Sequence, residues 1–155
     1  MNASTARALL VGLLVALWVW LSGMARLRVE IWPGIVALGC YFAAGGGISG
    51  LQKTLIGTLS GVAWGLVADA VRVAIGGTSI VTALIAGAMV CAIILVARVP
   101  FLGFIAGALA GAGVAWGIGV NTVNEAIRVG IALAVGAVLG FVAERVAGAV
   151  ASRRS

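Results

Sequence analysis

Residues 61–75 read GVAWGLVADAVRVAI, and residues 113–131 read GVAWGIGVNTVNEAIRVGI. Each stretch opens with the same pentapeptide, Gly61 to Gly65 and Gly113 to Gly117. Each continues to an acid, an alanine, a β-branched residue and an arginine: Asp69-Ala-Val-Arg72 and Glu125-Ala-Ile-Arg128. The pentapeptide closes an apolar run both times, over about 54–71 and about 100–120. A membrane-crossing helix needs roughly 20 mostly apolar residues, and these runs are of that order. Neither run alternates with a period of two, which argues against the strands of a membrane β-barrel.

Composition agrees. The 155 residues are 63% hydrophobic and 9% charged, and the mean hydropathy is +1.25. Soluble domains carry about 25% charged residues, so this chain cannot cover a water-facing surface, and lipid is the expected outer solvent. The net charge of +6 fits arginines flanking membrane helices better than a nucleic-acid partner. There is no histidine, and Cys40 and Cys91 lie apart in apolar runs. Two isolated thiols do not make a metal site, so no metal and no cofactor is expected.

The expected architecture is all-α: one transmembrane domain over 1–155 with about six transmembrane helices. Apolar runs place them near 8–24, 32–49, 54–71, 79–97, 100–120 and 127–149. The second is short and ends in Gly45-Gly46-Gly47, where a helix is poorly held, so an interruption or re-entrant path is expected there. Pro33 and Pro100 fall near helix starts, where a missing N–H does little harm. The first segment has signal-peptide features but a longer apolar run than a signal core, so its retention is expected. Lys and Arg in the flanks divide six (Arg7, Lys53, Arg98, Arg145, Arg153, Arg154) against four (Arg26, Arg28, Arg72, Arg128). That bias places both termini in the cytoplasm.

The duplicated motif suggests a repeat of helical hairpins in parallel orientation, over about 54–97 and 100–149. Glycines recur four apart in the third and fifth helices. Gly57, Gly61 and Gly65, with Gly107, Gly111, Gly113 and Gly117, are expected to form flat faces for close helix packing. A face left unused inside one chain would serve a second copy, so a homo-oligomer is one expected partner beside the bilayer.

A family resemblance covers the first 67 residues most strongly. It is carried by Gly39-Cys40 with Tyr41-Phe42-Ala43, the Gly45-Gly46-Gly47 run, Gly50-Leu51 and Ser60-Gly61-Val62-Ala63-Trp64. The chain resembles the domain-of-unknown-function 1097 family of small bacterial inner-membrane proteins. The resemblance implies a polytopic inner-membrane protein of about this length, and it supplies no reaction or substrate.

No enzyme motif is visible: there is no histidine base, no G-x-S-x-G, no H-E-x-x-H and no P-loop. Asp69 and Glu125 each precede an arginine by three residues, the spacing of an ion pair on a helix. Such pairs either seat helix ends at the water boundary or, with Trp64, Trp116 and Asn121, line the outer mouth of a solute path. Glu144-Arg145 reads as a terminal charge cluster. Two functions fit. One is a channel or permease for a small polar or neutral solute, with Trp64 and Trp116 facing each other as a constriction. The other is a non-transporting scaffold or accessory subunit that packs partner helices.

Overall fold

A computed structural model describes residues 3–24 and 31–152, with side chains described over 8–20 and 31–149. Among these residues the chain is all-helical. Six α-helices follow in order: α1 (Ala3–Met24), α2 (Ile31–Ala43), α3 (Gly47–Ile75), α4 (Ser79–Val96), α5 (Ile105–Ile118) and α6 (Val123–Ser152). Three of them, α3, α4 and α6, are long and apolar enough to cross a membrane. The protein is therefore an integral membrane protein. Arg26, Arg28, Glu30, Arg153 and Arg154, and the side chain of Arg7, lie outside the described residues.

Glycine sets the helix ends. Gly45, Gly46 and Gly47 have φ of 92°, 70° and 64°, a left-handed region that side chains with a Cβ rarely enter. They end α2 at Ala43, six residues before the expected boundary, and start α3 at Gly47 instead of 54. α3 then runs past 71 until Gly76, with φ 102°, closes it. The expected fifth helix is divided. Pro100 starts a 3-10 turn over Pro100–Leu102, and α5 begins at Ile105 and ends at left-handed Gly119. At 13 and 14 residues, α2 and α5 are ~20 Å long, shorter than the roughly 30 Å hydrocarbon layer.

α3 packs chiefly on α5, and α2 chiefly on α6. α1 lies against α6 and α4 against α3, with only 6% of the α4 span buried. The core is built of small residues, among them Ala37, Ala112, Ala115, Ala132 and Ala137, around Leu133. Small side chains let backbones touch, which in lipid replaces the missing hydrophobic drive with dispersion contact. A methyl group on Gly61 would strike the Ala108 carbonyl and stand 2.7 Å from the Ala112 nitrogen. Gly57 lies against Gly107 and Phe104, Gly65 against Ala115, and Gly111 against the Thr58 carbonyl. These contacts advance together in number, so α3 and α5 run parallel. The same holds for α2 and α6, where Gly136 abuts the Gly34 carbonyl and Gly140 the Tyr41 ring.

One expectation is corrected. Gly113 is exposed with open space around it, and exposed Gly117 has only the rim of Trp32, 3.9 Å away. Each residue turns a helix by about 100°, so 113 and 117 fall well off the face shared by 107 and 111. The two copies of the duplicated motif differ in setting. Asp69 and Arg72 lie within α3, whereas Glu125 and Arg128 open α6, so the two copies of the motif sit in different local structures.

Candidate functional site

The polar groups gather at the two ends of the bundle. At one end, the last turns of α3 carry Asp69 and Arg72 on one face, three residues apart. Arg72 donates to Asp69 Oδ1 from Nη2 at 2.6 Å and from Nε at 2.9 Å. The Asp69 side chain is 16% exposed and Arg72 35%, so the pair is partly withdrawn from solvent. Charge-assisted bonds of this kind hold geometry more firmly than neutral ones. Beside the pair is a cavity of about 220 Å3, lined by Gly65, Asp69, Arg72, Thr82, Trp116, Gly119 and Val120. α3 contributes the charges, α4 the Thr82 hydroxyl and the end of α5 the indole. Gly65, packed against Ala115, forms part of the wall.

The remaining residues expected to form a solute path divide. Asn121 and Glu125 follow the cavity wall in the α5–α6 turn. The Glu125 carboxylate accepts from the N–H groups of Asn121 at 3.1 Å and Thr122 at 3.3 Å, and Thr122 Oγ1 accepts from the Glu125 N–H at 3.4 Å. This is a reciprocal helix cap, and no ion pair joins Glu125 to Arg128 among the described residues. Trp64 lies elsewhere. It lines an apolar cavity of about 240 Å3 between α3 and α4, with Val67, Ala68, Val71, Ile85, Ala88, Met89 and Ala92, and packs on Ile93, Ala108 and Ala112. Trp64 and Trp116 line different cavities, so they do not form the expected facing pair. The reason is helical phase: α3 and α5 lie parallel through their glycine faces, and each tryptophan is one position away from a packed residue.

At the other end is a cluster that sequence reading missed. Tyr41, fully buried at the end of α2, donates its hydroxyl to Glu144 Oε2. The Gly47 N–H, first in α3, is shared between Glu144 Oε2 and Tyr41 Oη at 2.8 Å each. Gly46, the N-cap of α3, offers no side chain, so a carboxylate from α6 does the capping. An anion suits a helix N-terminus, where unpaired N–H groups and the helix dipole converge. Arg145, adjacent in sequence, points elsewhere, with its guanidinium 5.1 Å from the Phe141 ring centre. Glu144 is thus a structural tie between helices and not part of a loose terminal cluster. The available signal was the spacing of Gly140 and Glu144, which matches that of Gly65 and Asp69.

Within α3, buried Thr58 donates to the Thr54 carbonyl at 2.8 Å, while the buried Thr54 hydroxyl has no hydrogen-bond partner among the described residues. Nor do these residues contain a group of three or more His, Cys, Asp or Glu side chains able to hold a metal.

No curated protein and no solved structure matches the chain. A family model for a protein of unknown function, DUF1097, matches residues 8–148, and so covers both bundle ends, the Asp69 cavity and the Glu144 tie. The chain belongs to the DUF1097 family of proteins of unknown function.

Proposed function

We propose that this protein is a permease or channel for a small polar solute, acting without bond chemistry in a bacterial inner membrane, with both termini cytoplasmic. The observation that carries the reading is the Asp69–Arg72–Trp116 cavity at the end of the α3/α5 pair. Ionisable groups near apolar helices are costly and mark solute paths more often than ordinary packing. Here an acid, a cation, a hydroxyl and an aromatic face converge on one space. Its volume of about 220 Å3 suits a small solute. Asp69 accepts from donors and Arg72 donates to acceptors, so a solute with both kinds of group fits best. The positive flank bias puts this end on the outer side of the membrane.

The test is uptake into lipid vesicles holding the purified protein, over a panel of small zwitterionic, neutral and charged solutes. Flux above protein-free vesicles for one class, lost in Asp69→Asn, supports the reading. No flux for any class contradicts it. The rival reading is a scaffold, favoured by an apolar groove of about 470 Å3 between α3 and α6, lined by Leu59, Val62, Leu66, Ala126, Ile127 and Ile131 among others. Its mark would be a stoichiometric membrane partner whose loss follows Ile127→Trp while flux stays at background.

A further inference from the structure

The two polar ends are related. α3 and α6 cross antiparallel, with Leu59 beside Gly130 and Leu66 sharing a cluster with Ala126. A shift of about 75 positions lays Gly61-Val-Ala-Trp-Gly-Leu-Val-Ala-Asp69 on Gly136-Ala-Val-Leu-Gly-Phe-Val-Ala-Glu144. Both glycines, Val67 and Val142, and Ala68 and Ala143 coincide, and acid falls on acid. The shift also carries the packing across. Gly61 on the Ala108 carbonyl becomes Gly136 on the Gly34 carbonyl, and Gly65 beside α5 becomes Gly140 beside α2. Helix lengths follow suit: short α2 answers short α5, and 29-residue α3 answers 30-residue α6. Units that match in sequence and run in opposite directions form an inverted repeat, the architecture on which many transporters build two exchangeable states.

The same shift pairs Tyr41 with Trp116, and Gly47 with Thr122. We infer that Tyr41–Glu144–Gly47 and Trp116–Asp69–Thr122 are equivalent latches at opposite ends of the bundle, and that the protein closes one as it opens the other. Glu144 and Asp69 each lie about 12 positions beyond the α3/α6 crossing near Gly57 and Ala132, or ~36 Å apart along the bundle. In this structure the Glu144 latch is closed, since the acid holds the first N–H of α3 and the Tyr41 hydroxyl. The Asp69 latch is open. Its acid is held by Arg72, the cavity separates it from the α5–α6 turn, and the Thr122 N–H that answers Gly47 is taken by Glu125. In the exchanged state, Asp69 takes the Thr122 N–H from Glu125, the cavity closes beside Trp116, and Glu144 leaves Gly47. Arg72 has Ala147 at its equivalent position, so the arginine three residues beyond the acid, which holds Asp69 in the open latch, is not repeated in α6.

This deepens the transport reading and rests on it, yet its test does not require a known solute. Thr82 lines the open cavity from α4. In a Cys40→Ser, Cys91→Ser background, Thr82→Cys is labelled by a water-soluble maleimide, with the protein in lipid vesicles. Glu144→Gln and Tyr41→Phe each weaken the far latch. Coupled latches then lower the labelling rate, because weakening the closed latch moves population toward the state in which the cavity is shut. A merely structural tie leaves labelling unchanged, or raises it through local unfolding, and either result in a folded variant overturns the proposal. Tyr41→Phe keeps the ring on Gly140 and serves if Glu144→Gln does not fold. Uncoupled labelling in a protein that conducts solute removes the latches and leaves transport standing. Coupled labelling without flux over the panel supports the latches and removes the transport reading.

Discussion

Glu144 in α6 accepts the first N–H of α3, from Gly47, at 2.8 Å. An N-cap is ordinarily supplied by the residue just before its helix. Here Gly46 has no side chain to offer, and its own Cβ, if present, would stand 2.7 Å from a Glu144 oxygen. The bare glycine turn and the distant acid are therefore one device: the turn must be glycine so that the acid can reach it.

Losing that device should be expensive. Tyr41→Phe removes one donor from Glu144, and Glu144→Ala takes the acceptor of the Tyr41 hydroxyl and leaves the Gly47 N–H with the Tyr41 oxygen alone. Hydrogen bonds to charged groups are worth about 1.5–3 kcal/mol, and losses of that order are expected in denaturation of the purified protein. The double variant should lose less than the sum, because the residues share one network. Additive losses would mean that the two act separately.

Gly46→Ala should destabilise for two reasons, its φ of 70° and the approach of Glu144. Gly45 has a φ of 92° with open space around it, and asparagine tolerates the left-handed region better than most residues. Gly45→Asn is therefore expected to melt close to the parent, and Gly46→Ala well below it. Equal melting would show that Glu144 does not approach the turn.

The packing glycines separate by face. Gly61→Ala and Gly136→Ala each push a methyl group into a facing carbonyl, and overpacking of this kind costs about 1–3 kcal/mol. Gly113→Ala meets nothing and should be neutral or slightly stabilising, since alanine favours a helix by about 1 kcal/mol over glycine. Thermal melting in micelles reads the contrast. A loss at Gly113 as large as at Gly61 would mean that the exposed face packs on a second copy.

Glu125→Ala removes one half of the reciprocal cap of α6 and should loosen its first turn, with hydrogen exchange rising at Asn121 and Thr122. Arg128→Ala should leave those amides unchanged, because Glu125 bonds to the turn and not to Arg128. Faster exchange in Arg128→Ala would restore the ion pair.

Much of the fold was legible in the sequence. Apolar runs gave six helices, the four-residue glycine spacing gave the α3/α5 contact at Gly57, Gly61 and Gly107, and Gly45 to Gly47 flagged the break after α2. Helical phase was harder to read: Gly113 and Gly117 continue the glycine-rich composition but turn away from the contact. The visible match, GVAWG, is local. The match that the packing obeys, GLVAD with GFVAE, joins helices running in opposite directions, and conservative changes such as Asp to Glu and Leu to Phe conceal it. Asp69 and Trp116 were legible as neighbours from their motif. Glu144 was not, because its partners Tyr41 and Gly47 lie about 100 positions away and only the folded chain brings them together.

The transport account places the solute beside Trp116 and not beside Trp64, although each lies in a copy of the same pentapeptide. Its most direct test is uptake by vesicles holding folded Trp116→Ala or Trp64→Ala, measured with the solute class that the parent protein conducts. The account predicts that Trp116→Ala changes the rate several-fold or more, since the ring walls the polar cavity, while Trp64→Ala, in an apolar space between α3 and α4, leaves it near the parent value. Equal rates for Trp116→Ala and the parent, or an effect confined to Trp64→Ala, would contradict it.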